Sequence, residues 1–281
     1  MSQLIQMRQR IKAIETIKKI TSAMRLISRS FHTRMSKEKG NLKSYQEEVE
    51  NLLKHLHASS PLWQSPFFFP EQNTKPRKLI ILIGAQKGLC GNYNTEITYW
   101  IKKNKSLLIA PDTEVFVIGK KTDDYITHLN IKKSHVFKEL TLNTIEALSE
   151  EIITILKNAQ PYYTHVSLIA SFSQTFFSHK LKTVQLIPAF ITDTRKEESD
   201  YDWQGDPHEI LETLSEMCLR TKIHITLFES LLGEQASRFI AMDNATRNAN
   251  KFLDAMHLQY NKARQAKITK ELTELSAHFM G

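Results

Sequence analysis

All eight prolines of this chain fall between Pro61 and Pro207, and only Gly40 and Gly233 interrupt the flanking stretches before the terminal Gly281. Proline and glycine are the residues that a helix interior tolerates least. Two stretches of about 60 and 73 residues without breakers therefore predict two long helices, one at each end. The chain divides at the same points into residues 1–60, 61–205 and 206–281.

Apolar residues support this reading. In the first flank they recur at Leu4, Met7, Ile11, Ile14, Ile17, Ile20, Met24, Ile27, Phe31 and Met35, then at Leu42, Tyr45, Val49, Leu52 and Leu56. Steps of three and four put such residues on one helical stripe. The last flank opens with Asp206-Pro207-His208-Glu209, which offers an N-cap, a proline at the first helical position and an acid at the capping-box position. From there a 3,4 register runs through Ile225, Phe228, Leu232, Phe239, Met242, Ala249, Leu253, Met256, Tyr260 and Ala263, with polar Gln235 and Thr246 at two seam positions. A helix of that length reaches roughly 105 Å at 1.5 Å per residue, so it is expected to protrude. The simplest way to bury both stripes is an antiparallel coiled coil of the two ends. Gly40 and Gly233 mark where irregularity or a compliant joint is expected.

The middle alternates between strand and helix signals. Strands are expected over Lys78–Gly84, Glu114–Gly119, His165–Phe172 and Thr183–Pro188, with helices near Asn94–Lys103 and Asn143–Lys157. A mostly parallel sheet follows, hence a Rossmann-like α/β domain. The polar stretch Asp193–Gly205 reads as a loop. The fold class is thus α/β, with a long antiparallel coiled coil added to the central domain.

The motif most suggestive of chemistry is Gly84-Ala-Gln-Lys-Gly88-Leu-Cys-Gly91-Asn after the first strand. Its glycines are spaced four and three apart and Lys87 precedes its glycine. A dinucleotide fingerprint needs GxGxxG, and a phosphate loop needs Gly-Lys-Ser/Thr after four residues, so a structural turn is the better reading. Cys90 has no nearby histidine base in sequence and reads as a small buried thiol. Cys90 and Cys218 form no CxxC pair, so neither a disulfide framework nor a zinc motif is expected. The acid pairs Glu47-Glu48, Glu150-Glu151 and Glu197-Glu198 read as solvated charge. No catalytic, cofactor-binding or metal-ligating set emerges. No apolar run approaches the roughly 18 residues of a membrane span.

The formal charge of +8 is unevenly placed. Residues 1–39 carry ten Lys or Arg against two acids, Glu15 and Glu38, whereas residues 208–281 balance nine against nine. A basic amphipathic helix fits a mitochondrial transit peptide, a nucleic-acid or anionic-membrane adaptor, or an acidic protein partner. Phe31 is the sole aromatic residue in the first 44 positions, which leaves little to stack on bases. The protein partner is favoured, and no nucleic acid is expected.

Three segments carry a resemblance. Glu234-Gln-Ala-Ser-Arg238-Phe-Ile-Ala-Met242-Asp-Asn-Ala-Thr246-Arg-Asn-Ala249, with Tyr260-Asn-Lys-Ala-Arg264-Gln-Ala-Lys-Ile268-Thr-Lys-Glu271-Leu, closely resembles the gamma subunit of F-type ATP synthases. Arg8-Gln-Arg-Ile-Lys-Ala-Ile and Lys19-Ile-Thr-Ser-Ala-Met24-Arg look like that family's opening helix, and Gly88-Leu-Cys-Gly91 with Asn94 looks like its central-domain turn. The resemblance implies a central-stalk rotor that couples ion translocation to ATP synthesis or hydrolysis and performs no chemistry itself. Its implied partners are the alpha and beta subunits, the epsilon subunit and the c-ring. By carry-over, Met24, Arg25, Gln235 and Arg238 would meet the catalytic ring, and Gln265, Thr269, Glu271 and Glu274 would lie at its upper bearing. The turn residues carried over are Gly88, Cys90 and Gly91.

Since the family pattern begins within the first ten residues, the basic segment reads as shaft instead of transit peptide. The implied location is peripheral, on the cytoplasmic face of a bacterial inner membrane. Gln86, Lys87 and Asn92 depart from the family pattern, which points to a divergent branch, an alternative ATP synthase being one reading.

Overall fold

The computed structural model describes residues 2–60, 62–70, 76–137, 139–175, 178–189 and 204–279. Helix α1 spans Ser2–Ser59 and helix α6 spans Pro207–Phe279. Between them lie β1 (Lys78–Ile83), α2 (Tyr93–Lys103), α3 (Lys105–Ile109), β2 (Thr113–Ile118), α4 (Lys120–His128), β3 (His135–Phe137), α5 (Ile145–Asn158), β4 (His165–Thr175) and β5 (Ser178–Ile187). The chain forms two compact units, residues 30–237 and residues 1–29 with 238–281. Both long helices contribute to each.

In the larger unit the sheet order is β3-β2-β1-β4-β5. The first four strands are parallel and β5 returns antiparallel to β4. A parallel sheet needs cover on both faces. Here one face packs Ile80, Leu82, Val115, Val117 and Ile169 against Ile97, Ile101, Leu108 and Ile126 of α2–α4. The other packs Leu79, Ile81, Ile83, Phe116 and Leu168 in one cluster with Ile152 of α5, Leu53 of α1 and Leu227 of α6. The Rossmann-like expectation holds. Sequence reading missed α3, α4 and β3, which are short, and started β5 five residues late.

Helix α6 starts where its cap predicts: the His208 amide donates to Asp206 Oδ1 at 2.9 Å and the Ile210 amide to the Asp206 carbonyl at 3.2 Å. Its stretch from Ile225 to Glu234 is buried on every side. That burial encloses Glu229, whose carboxylate meets Lys39 of α1 at 2.7 Å. Neither glycine breaks its helix, contrary to expectation. Gly40 has open space around it, whereas a Cβ on Gly233 would lie 2.8 Å from the Ser171 carbonyl oxygen of β4. Gly233 is there to let two backbones approach, so its cause is packing and not flexibility.

The register of α1 also needs correction. The inward stripe of α1 in the smaller unit runs through Leu4, Met7, Ile11, Ile14, Lys18, Thr21, Arg25 and Ser28, alternating steps of three and four, with Ser22 and Met24 half-buried beside it. Ile17, Ile20 and Ile27 are exposed, the last at 68%. Three successive steps of three, from Ile11 to Ile20, rotate a stripe backwards around a helix of 3.6 residues per turn. The apolar residues therefore leave the seam that they first mark. The same slip recurs in the larger unit, where Gln46 and Leu53 take the inward places expected for Tyr45 and Leu52. On α6 the expected register holds, and Met242, Thr246, Ala249 and Leu253 are buried.

The stretch from Asp193 to Trp203, including Glu197-Glu198, lies outside the described residues. Glu47 and Glu48 are exposed as expected. Glu150 instead meets Arg220 at 3.0 Å and Glu151 meets His135 at 3.2 Å.

Candidate functional site

The glycine turn after β1 is held by its own side chains. Asn94 donates to Cys90 Sγ at 3.1 Å and accepts the Ala85 amide at 3.3 Å, while the Cys90 thiol faces the Lys87 carbonyl at 3.6 Å. Leu89 and Gly91 take positive φ, 62° and 55°, which bends the chain tightly enough to bury Cys90. The first glycine of the motif is set by crowding. A Cβ on Gly84 would overlap Thr122 of α4, and one on Gly119 would lie 2.3 Å from the Gly84 carbonyl oxygen. The first amides of α4, the usual anion-binding groups of a helix start, donate to Gln86 Oε1 at 3.1 Å and to the Ala85 carbonyl at 3.2 Å.

A doubly wound sheet offers its ligand crevice beyond the carboxyl ends of the strands at the switch point, here between β1 and β4. Tyr93, just after the turn, sends its hydroxyl to Ser230 of α6, 2.6 Å from Oγ and 3.0 Å from the carbonyl oxygen. With Gly233 against Ser171, α6 stands where a nucleotide would lie.

In the smaller unit the residues singled out by sequence part company. Met24 and Arg25 are half-buried on α1. Arg25 donates from Nη1 to Asp243 Oδ1 of α6 at 2.8 Å, and Asp243 Oδ2 accepts Arg247 Nε at 2.8 Å. The Arg25 hydrogen bond, followed by that of Arg247, holds the Asp243 carboxyl below its ordinary value. One α1 turn before Arg25, Thr21 Oγ1 lies 2.9 Å from Thr246 Oγ1, both buried. As positions fall on α1 they rise on α6, so the two helices are antiparallel. Arg238 is buried at 7% exposure. Gln235 is half-buried and belongs to the larger unit.

Gln265, Thr269, Glu271 and Glu274 are all exposed near the end of α6. Their contacts are local: Thr269 Oγ1 donates to the Gln265 carbonyl at 3.1 Å, Lys267 faces Glu271 at 3.4 Å and Lys270 faces Glu274 at 3.6 Å. Such exposed pairs contribute about 0.3–0.5 kcal/mol each. Around them Leu258, Ile268, Leu272 and Leu275 are also exposed. Sequence reasoning missed Asp243 and Thr21. A charge spacing shared by the two flanks could have found the first, since Lys39 to Glu229 and Arg25 to Asp243 lie two heptads apart on both helices.

The ATP synthase family model matches residues 3–278. The chain belongs to the ATP synthase gamma family. It is 28% identical to the ATP synthase gamma chain of Clostridium novyi (strain NT), covering 97% of this chain and 95% of that one. The gamma chain of Flavobacterium psychrophilum is also 28% identical, with 98% and 97% covered. Among solved structures, the fold is similar to a chain of the Tetrahymena thermophila mitochondrial ATP synthase central stalk and c-ring, with TM-score 0.57 and 21% identity over 80% of this chain and 99% of that one. A chain of the Euglena gracilis mitochondrial enzyme gives TM-score 0.58 at 14% identity, over 92% and 94%. As a member of this family the chain is a rotor-stalk subunit of an F-type ATP synthase. No described helix is long and apolar enough to cross a membrane.

Proposed function

We propose that the chain carries torque between a membrane c-ring and a catalytic ring of alpha and beta subunits while holding no reaction centre of its own. Its finer placement is peripheral, on the cytoplasmic face of a bacterial inner membrane, with an epsilon subunit beside the central domain. The parts are residues 1–60 and 206–281 as shaft and residues 61–205 as the domain that couples it to the c-ring. The observation that carries this reading is the last third of α6. A helix so exposed, with Leu258, Ile268, Leu272 and Leu275 open to solvent, gains little from its own chain. It fits a sleeve supplied by other subunits, within which Gln265, Thr269, Glu271 and Glu274 would form the bearing.

Met24, with Arg25 beside it, would face the catalytic subunits further down, together with Gln235 and Arg238. The half-exposed guanidinium and the exposed isoleucines of α1 give contacts that are individually weak and can be exchanged as the shaft turns. The α6-filled crevice above the sheet favours a structural domain over a nucleotide-binding one.

Affinity purification of the tagged chain from its native membranes tests this reading. Alpha and beta subunits should be recovered in near-equal amounts, with ATPase activity. Recovery of the chain alone from membranes that contain assembled ATP synthase would sink the proposal.

A further inference from the structure

Two adjacent contacts, four residues apart on α1 and three apart on α6, define how the two helices are aligned: Arg25 with Asp243 and Thr21 with Thr246. We propose that these polar contacts are a register lock, fixing the axial alignment of the two helices against slippage by a heptad.

The seam of the smaller unit is poor in large apolar side chains where the lock sits. Thr21, Arg25 and Ser28 occupy it on α1, and Met242, Thr246 and Ala249 on α6. Apolar seams discriminate weakly between alignments shifted by seven residues, because each shift again sets seam positions against seam positions. Polar seam residues discriminate strongly, since a shift sets them against apolar side chains. Buried Thr246 Oγ1 lies 2.7 Å from its own Met242 carbonyl oxygen, Thr21 Oγ1 lies 3.1 Å from the Lys18 carbonyl oxygen, and the two hydroxyls meet across the seam at 2.9 Å.

The cost of slippage can be traced in both directions. Within the smaller unit a slip moves every pair of α1 and α6 together. In one direction Asp243 would gain Lys18, but Thr21 would face Phe239 and Thr246 would face Ile14. In the other, Arg25 would face Asn250 and Thr21 would face Leu253. Neither alignment keeps both polar pairs. Arg25 is then a positioning residue inside the shaft, whatever it meets outside.

The lock rests on coil geometry and not on the rotor reading, so it is tested on the purified full chain without partners. Stepping from Thr21–Thr246 along both helices sets Ile11 opposite Met256. Ile11→Cys combined with Met256→Cys reports the native alignment; Ile11→Cys combined with Ala249→Cys or with Ala263→Cys reports a heptad slip in either direction, about 10 Å away. In the otherwise native chain the first combination should oxidise to a disulfide at least about tenfold faster than the other two. Adding Arg25→Leu with Asp243→Leu fills the seam and keeps it apolar, so the helices stay paired. It should raise a slipped combination by about tenfold, whereas Arg25→Lys should leave all three rates as they were.

Unchanged slipped rates in the double-leucine background, with helical circular dichroism intact, would overturn the lock. A loss of helical signal in that background would also overturn it, because the contacts would then serve stability and not alignment. The isosteric Thr21→Val with Thr246→Val supplies an independent arm with the same two outcomes. Failure to recover alpha and beta subunits would count against the rotor reading and leave these rates untouched.

Discussion

Replacing Lys39 by methionine should be far more damaging than replacing its partner Glu229. Both Glu229 oxygens contact Lys39 Nζ, at 2.7 and 2.8 Å, yet the side chains are 5% exposed for Glu229 and 29% for Lys39. Removing one member of a fully buried ion pair costs about 3–5 kcal/mol, because the other charge is stranded. In Lys39→Met the stranded group is the buried carboxylate. Partial solvent access on the lysine side lowers the expected cost to about 2–3 kcal/mol.

In Glu229→Met the ammonium is left near water and its flexible stem can turn outward, so about 1 kcal/mol is expected. The double substitution restores an apolar contact and should lie within about 1 kcal/mol of the native chain. Cys218 gives a local readout in the same unit. It is buried on α6, and burial, followed by the nearby Glu50, pushes its thiol up to about 11, so it reacts with a thiol reagent only when the unit opens. Labelling rates against urea concentration then give the opening free energy of each variant. Equal losses in the two single variants, or a double variant as weak as Lys39→Met, would refute the asymmetry.

The two helical glycines should respond in opposite ways to alanine. Gly233→Ala forces a Cβ against the Ser171 carbonyl and should cost about 1–3 kcal/mol, whereas Gly40→Ala meets nothing and should stabilise by about 0.5–1 kcal/mol in urea titrations. Burial lowers the affinity of His32, His57 and His224 for protons, helped at His32 by Lys39 and opposed at His224 by Glu146. The unfolded chain then binds more protons, so stability should fall as pH drops through and below the ordinary histidine value near 6.5, and His224→Gln should flatten that slope. Asp243 acts with the same sign in a more acid range: its lowered carboxyl stabilises above the ordinary carboxylate value and that contribution is lost as pH falls below it, a loss that Asp243→Asn should remove from acid titrations. Met24→Lys sets a second cation beside Arg25 and its carboxylate, and should reduce ATP-driven ion pumping by the assembled enzyme while leaving the chain folded. Native coupling ratios would speak against a stator contact at Met24.

Much of the fold is legible because its signals are local and strong. Asp206 and Pro207 announce the start of α6, and LIILI, far shorter than a membrane span and rich in β-branched residues, reads as a buried strand. The seam of α6 is legible because Met242, Ala249 and Leu253 recur without competing apolar neighbours. On α1 the competition is real. Ile17, Ile20 and Ile27 stand one residue from Lys18, Thr21 and Ser28, and hydrophobicity favours the wrong member of each pair. Only the helix–helix contacts decide between them. The turn at Gly84–Gly91 reads as structural from its spacing, but what demands Gly84 is Thr122, 38 positions away, and no local rule reports such a contact.

The isoleucines that lie outside the seam alter how the chain behaves before it meets any partner. Ile17, Ile20, Leu26 and Ile27 form an apolar exterior on a helix that is otherwise strongly charged. Lys18 and Lys19 stand between the first two, and Arg25 and Arg29 bracket the others. Basic residues placed around exposed apolar ones act as gatekeepers, since two copies that approach through such a surface must bring like charges together. Repulsion between the lopsided charges of the first 39 residues should thus oppose self-association of the isolated chain through this surface. High salt, which screens that repulsion, should be the condition under which the isolated chain first self-associates.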